Sequence, residues 1–257
     1  MKSLGRCVLG MVLSVNIGTS EQEHVYSGFL TYYRGKHLWV TAGHVIDNLI
    51  EVRASGADIK IMRWLDRYPL QGAEAAQVHD RNLVLSRADD IDVGYAIIRG
   101  FDADALSRNR NLRLVNDQLW SDLDSSTPEG YYLIGYPNTR MSVSLTRVAE
   151  KEDQKTLRTS LLCLPIQRIE HRRELQHIDF WNDAEAFYGQ ILPSQEAHKL
   201  NRVTGMSGAP VFSIERLPDG NVFRGLIGLQ SKQWVGESII RIEPIRRAIE
   251  AIGQTIS

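Results

Sequence analysis

The sequence has few cysteines, no long apolar run and no excess of one charge. Cys7 and Cys163 are the only cysteines among 257 residues, so neither a disulfide framework nor an oxidising compartment is implied. No stretch reaches the roughly 18–20 consecutive apolar residues that a membrane-spanning helix needs. We therefore predict a cytoplasmic protein that does not insert into a membrane.

The charges are balanced, with 30 Lys and Arg against 31 Asp and Glu. Proteins that bind nucleic acid or an anionic membrane surface usually carry a clear basic excess, so we expect neither partner. His171 and His177 lack the HExxH spacing of a metalloprotease, and the sequence contains no CxxC pair. We expect no metal and no cofactor.

The N-terminal segment has two interpretations. Lys2 and Arg6 precede the apolar run Cys7–Val15, which is compatible with a short signal peptide or with a first β-strand. We favour the strand, because Gly10 and Ser14 interrupt the run and no small-x-small cleavage site follows it.

Short apolar runs bounded by turn residues dominate the sequence and predict an all-β fold. The spacing of these runs leaves no room for the regular helices of a parallel α/β sheet. The predicted strands are Val8–Ile17, Ser27–Tyr33, His37–Thr41, Leu83–Leu85, Val93–Ile98, Tyr131–Ile134, Leu161–Leu164, Pro210–Ile214, Gly225–Gln230 and Ser238–Ile242.

Two segments depart from this strand pattern. Residues 244–256 place five apolar side chains on one face at helical spacing, which predicts a C-terminal amphipathic helix beginning at Pro244. Ile169–Leu200 is rich in charge and has little strand pattern, so we expect a partly helical insertion on the surface. It is either a solvent-exposed surface segment without a role at the site or, because it ends just before Ser207, a segment that shapes access to the site.

Three segments carry side chains suited to acyl transfer. Leu38–Val45 is a strand that ends in small residues and then presents His44, and Asp90–Ile98 contains Asp92 at the entry to an apolar strand. Thr204–Val211 presents Ser207 between glycines. A serine nucleophile needs a base to take its proton and an acid to orient that base. The glycines allow a tight loop whose backbone N–H groups, those of Gly205 and Ser207, are candidate oxyanion donors.

These segments resemble the chymotrypsin/trypsin-like serine peptidases. Thr41-Ala42-Gly43-His44 resembles their Thr-Ala-Ala-His, and Gly205-Met206-Ser207-Gly208-Ala209-Pro210 resembles their Gly-Asp-Ser-Gly-Gly-Pro. Val45 stands where animal enzymes carry cysteine, which is closer to bacterial HtrA-like members without a PDZ domain. The resemblance implies two perpendicular antiparallel β-barrels, residues 1–115 and 116–257, with the C-terminal helix packed on the second.

The same resemblance implies roles for individual residues. His44 is the general base, Asp92 orients it, and Ser207 is the nucleophile. An α/β-hydrolase order is excluded for this serine, since all seven histidines precede it, and a subtilisin-like order needs an aspartate that residues 1–43 lack. Asp90 is the competing acid. It would place charged Asp92 on the same strand face, where burial is costly.

Substrate contacts follow from the resemblance as well. Asn201 lies near the floor of the primary specificity pocket, and Gln230, Ser231 and Lys232 lie along its edge strand. Met206 replaces the acid that pairs with a new N-terminus in secreted zymogens, so activation of that kind is not expected.

Three hypotheses about function remain open at this point. The first is an endopeptidase that acts on a protein or peptide substrate. The second is the same enzyme held latent until a protein partner orders the oxyanion loop. The third is a catalytically silent domain of this fold that serves as a protein-binding module, since fold alone does not establish activity.

Overall fold

A computed structural model gives the architecture of most of the chain. It describes residues 4–17, 20–65, 83–88, 90–110, 112–120, 128–138, 142–148, 151–158, 160–169, 183, 185–193, 203, 205–217, 219–234 and 237–256.

The N-terminal half contains two antiparallel sheets and two helices. A three-stranded sheet has the order β2-β1-β5, and a four-stranded sheet has the order β3-β4-β7-β6. The strands are β1 (Gly10–Ile17), β2 (Ser20–Tyr26), β3 (Phe29–Tyr33), β4 (Lys36–Thr41), β5 (Asp58–Leu65), β6 (Val84–Arg87) and β7 (Gly94–Ile98). The helices are α1 (Gly43–Ala54), directly after β4, and α2 (Gly100–Arg110), directly after β7.

The C-terminal half is a closed six-stranded barrel with one added hairpin and a final helix. The barrel order is β11-β12-β15-β14-β13-β8, and the hairpin pairs β9 with β10. The strands are β8 (Gly130–Gly135), β9 (Ser142–Val148), β10 (Lys151–Arg158), β11 (Leu162–Arg168), β12 (Phe187–Ile191), β13 (Pro210–Arg216), β14 (Val222–Trp234) and β15 (Ile239–Pro244). The final helix is α3 (Ile245–Thr255).

Strand β1 is buried on both faces, which explains its nearly continuous apolar sequence. Met11 and Leu13 belong to the core between the two N-terminal sheets, where Trp39 and Trp64 meet edge to face with ring centroids 5.4 Å apart. Val12 faces the other way, into a core that also contains side chains of the C-terminal barrel and of α3. This second core joins the two halves.

The C-terminal helix contacts both halves rather than the barrel alone. Its buried side chains are the predicted apolar face, Ile245, Ala248, Ile249 and Ile252, with Ile256 just beyond. Arg34 Nη1 donates to the Gly253 carbonyl at 2.6 Å, and the hydroxyls of Tyr95 and Thr255 lie 3.2 Å apart. The helix therefore fixes the N-terminal half against the barrel.

The all-β fold, the C-terminal barrel and the final helix confirm the sequence prediction. The insertion Ile169–Leu200 needs a correction, because Phe187–Ile191 is barrel strand β12, paired with β11 and β15. Its short apolar alternation was hidden by charged neighbours. The division of the chain near residue 115 stays a prediction. None of the described helices is long and apolar enough to cross a membrane.

Candidate active site

His44 lies where strand β4 gives way to helix α1. The strand ends at Thr41 and the helix begins at Gly43, so His44 is in the first turn with its side chain half exposed. Gly43 occupies the position where the resembling peptidases have alanine. A β-carbon there would lie 2.9 Å from Asp92 Oδ1, closer than ordinary contact. The departure from the motif therefore leaves room for the Asp92 carboxylate.

Asp92 binds His44 through both carboxylate oxygens. Oδ2 lies 2.9 Å from His44 Nδ1, and Oδ1 accepts the His44 backbone N–H at 2.9 Å. Burial alone would raise the pKa of Asp92, but the hydrogen bonds from His44 and the charges of His44 and Arg87 outweigh it and lower the pKa. An ionised Asp92 requires a proton on Nδ1, which leaves Nε2 as the acceptor of neutral imidazole.

Asp90, the competing acid, lies elsewhere. It is exposed at the rim of the cleft and, among the described residues, makes no hydrogen bond to His44. Of the two aspartates, Asp92 is the one in contact with the imidazole, and its catalytic role remains a prediction.

The Ser207 loop packs against the turn that carries His44. Gly208 has a φ of +83°, and a β-carbon on it would lie 2.7 Å from the Ala42 nitrogen and overlap Thr41 Oγ1. This close approach places partly buried Ser207 beside the β4–α1 turn. In the described part of the chain, no hydrogen bond joins Ser207 to His44. Such bonds are often long in free enzymes and tighten when substrate binds.

Backbone N–H groups of the loop fall into two sets. Met206 donates to Val203 O at 2.9 Å, Gly208 to Gln230 O at 2.7 Å, and Ala209 to Met206 O at 2.8 Å. The N–H groups of Gly205 and Ser207 donate to no acceptor among the described residues. These two are the donors that the sequence predicted for an oxyanion.

Met206 anchors the loop by apolar contact. Its side chain is fully buried in the core of the C-terminal barrel, together with Leu133, Val211 and Ile227. No carboxylate stands at this position to form an ion pair, as the sequence indicated.

The predicted substrate residues have different environments. Gln230 and Ser231 are buried on β14, and Ser231 Oγ donates to the Arg241 carbonyl at 3.3 Å. Lys232 is exposed and lines the cleft beside His44. Asn201 lies outside the described residues. The sequence did not single out Gln233. Its side chain accepts the Val203 N–H at 3.1 Å and so links strand β14 to the segment before the Ser207 loop.

A cleft of about 450 Å³ adjoins the His44–Asp92 pair. Its described lining adds five residues to that pair and does not include Ser207: Arg87, Asp90, Ile91, Lys232 and Arg241. Arg87 and Arg241 were not found from the sequence, because each is an isolated arginine on a strand with no motif around it. Within the described residues, no cluster of His, Cys, Asp or Glu has the geometry to hold a metal ion.

Arg241 belongs to a buried ionic cluster behind the cleft. Its Nη2 lies 2.5 Å from Asp183 Oδ2 and 2.8 Å from Glu243 Oε1, and the second contact lacks hydrogen-bond geometry. Arg247 also binds Asp183, at 2.7 Å. Burial raises the pKa of fully buried Glu243 despite the two arginines. The charge of Arg241 is therefore largely matched within the protein.

Comparison with known proteins gives a likeness in structure only. No protein-family model matches the chain, and no curated protein matches it by sequence. A thermostable serine protease, AL20, from an extremophilic microorganism aligns over 99% of this chain and all of its own, at 14% identity and a TM-score of 0.49. The protease Anisep from Arthrobacter nicotinovorans aligns over 93% of this chain and 90% of its own, at 14% identity and a TM-score of 0.44.

Proposed function

We propose that this chain is a trypsin-like serine endopeptidase that hydrolyses peptide bonds through an acyl-enzyme. The observation that carries the proposal is the His44–Asp92 pair, with both contacts at 2.9 Å, beside a loop with a serine and two N–H groups that donate to no acceptor among the described residues. The resemblance of the three sequence segments to that peptidase family supports it independently.

The mechanism assigns a role to each of these groups. Ser207 Oγ attacks the substrate carbonyl while His44 Nε2 accepts the hydroxyl proton, and the imidazolium that forms is stabilised by Asp92. His44 then gives the proton to the leaving amine, which produces the acyl-enzyme. Water, deprotonated by His44, then attacks the ester, and His44 returns the proton to Ser207 Oγ as the ester bond breaks and the carboxylic acid product leaves. The Gly205 and Ser207 N–H groups bind the oxyanion in both steps, and loss of one such donor typically costs about 2.7–4 kcal/mol.

The substrate in this proposal is a protein or peptide in extended form. Its main chain lies beside Gln230, Ser231 and Lys232 of strand β14, and Asn201 forms the floor of the primary specificity pocket. The chemistry needs no cofactor. We place the protein in the cytoplasm, since Cys7 and Cys163 form no disulfide.

Two alternatives differ from this proposal in what they predict for the isolated chain. A latent enzyme would need a protein partner to order the oxyanion loop. The loop already has three backbone hydrogen bonds and a buried Met206, which argues against a need for a partner to order it. A binding module would use the cleft without turnover, and it has no requirement for an aspartate bonded to Nδ1.

Hydrolysis of unfolded casein by the purified chain tests the proposal directly. We expect peptide products from the wild-type protein and none from Ser207→Ala, whose fold is checked by circular dichroism. Products only after addition of cell lysate, again dependent on Ser207, would identify the latent form. No Ser207-dependent hydrolysis under either condition would leave the binding module.

A further inference from the structure

Ser27 is a fully buried residue in the short connection between β2 and β3, and its hydroxyl is used as both donor and acceptor. Ser27 Oγ donates to the Gly205 carbonyl at 2.9 Å and accepts the Tyr136 N–H at 2.9 Å. One hydroxyl of the N-terminal half thus holds two segments of the C-terminal half, one of which is the nucleophile loop.

The Gly205–Met206 peptide is held at both ends by these contacts. Its carbonyl accepts from Ser27, and its N–H donates to Val203 O at 2.9 Å. Rotation of this peptide would break both bonds in a partly buried site, where unpaired polar groups carry a free-energy cost. Gly205 joins it to the preceding peptide at a φ of +91°. The orientation of the Gly205 N–H therefore depends on the peptide that Ser27 fixes.

Further contacts hold the backbone of Ser27 against the Ser207 loop. Thr41 Oγ1 donates to the Ser27 carbonyl at 2.8 Å, and a β-carbon on Gly208 would lie near both residues. On the other side, the Asn138 side chain accepts the Val25 N–H at 2.7 Å while its backbone lies against Gly205. The β2–β3 connection and the Ser207 loop are thus packed and hydrogen-bonded together next to the turn that carries His44.

We infer that Ser27 is a positioning residue for the oxyanion hole, because it holds the Gly205–Met206 peptide and thereby the orientation of the adjoining Gly205 N–H. This inference rests on the proposed function. Ser27 touches neither substrate nor the reacting atoms, so its effect appears in steps that develop an oxyanion. Substitution should lower kcat while KM changes little, because the donors act mainly on the transition state.

The test measures the rate constant for fluorophosphonate labelling of Ser207 in Ser27→Ala, alongside urea unfolding. We expect labelling to slow by about tenfold or more, short of the 10²–10³-fold typical of removing an oxyanion donor outright. Thr31→Val is the matched control. Thr31 is also fully buried, and its hydroxyl donates to the Val115 carbonyl at 2.5 Å, away from the loop. It should lose stability and keep the wild-type labelling rate.

The outcomes separate this inference from the proposed function. A folded Ser27→Ala protein that labels at the wild-type rate would overturn the positioning role and leave the peptidase proposal intact. Equal slowing in Thr31→Val would also overturn it, since general destabilisation would then be the cause. Absence of Ser207 labelling in the wild type, both with and without cell lysate, would overturn both. If Ser27→Ala does not fold, Ser27→Cys, which keeps a weaker donor and acceptor, is read by the same criteria.

Discussion

Asp92 Oδ1 accepts the backbone N–H of His44 at 2.9 Å, while its other oxygen binds the imidazole of the same residue. His44 is in the first turn of α1, where N–H groups have no partner within the helix, and Ala42 at the N-cap provides no side-chain bond. Asp92 supplies that missing cap from the bend just before strand β7 and places its charge at the positive end of the helix. One carboxylate thus starts the helix and orients the ring.

Asp92→Asn is expected to reduce kcat/KM by on the order of 10³–10⁴-fold, because an amide favours the wrong imidazole tautomer. Asp90→Asn is the matched control, since it removes the same charge from the same cleft without touching His44. Steady-state peptide hydrolysis measures both. A larger loss in Asp90→Asn would show that the acid has been misassigned.

Asp92 also predicts how stability depends on pH. Because its pKa is lowered in the folded state, its contribution to stability is fully present above the ordinary aspartate pKa of about 3.9 and is lost as pH falls through the folded-state pKa. Urea unfolding between pH 2 and 7 should therefore show a decline below about pH 4 that is smaller in Asp92→Asn. Identical declines in the two proteins would contradict the shift.

Gly208→Ala is expected to destabilise the protein by more than the about 1–3 kcal/mol typical of a non-glycine residue at a strained backbone conformation. The added methyl would overlap the β4–α1 turn. Gly220→Ala is the control, because Gly220 has a φ of +82° and open space around the position of the added atom. Chemical denaturation measures the free energy of unfolding of both variants, and the difference between their losses is the cost of the close approach at Gly208. Equal losses in the two variants would contradict that cost.

Cys7 should be inert in the folded protein. Its side chain is almost fully buried, and burial raises its pKa to about 11, so little thiolate forms near neutral pH. Iodoacetamide at pH 8, followed by peptide mapping, should modify partly exposed Cys163 first and Cys7 only after unfolding. Rapid modification of native Cys7 would contradict its placement in the core.

The strands that sequence reasoning found are those with apolar runs, and two of those it missed are strongly polar. Ser20–Tyr26 and Lys151–Arg158 are not among the predicted strands, yet each forms a strand through backbone pairing with a neighbour. Pairing of this kind leaves little trace in side-chain pattern. Helix α1 was missed for a related reason, since its capping group comes from Asp92 and no local capping residue marks its start.

The residues of the candidate site also differ in how far the sequence predicts their importance. His44, Asp92 and Ser207 stand in short strand-and-turn segments that carry a readable pattern. Ser27 opens a predicted strand, but that pattern does not single out its hydroxyl, whose importance depends on a hydrogen bond to Gly205, 178 residues away. Contacts of that range arise from how the two halves pack, which no local pattern encodes.

The most direct test of the central claim is fluorophosphonate labelling of the purified protein, followed by peptide mapping, with Ser207→Ala and Ser213→Ala as paired variants. Ser213 is buried on β13 and should be irrelevant to the reaction. We predict one label, on Ser207, that disappears in Ser207→Ala and persists in Ser213→Ala. Labelling elsewhere, or none in the wild type with or without cell lysate, would contradict a serine nucleophile at this position.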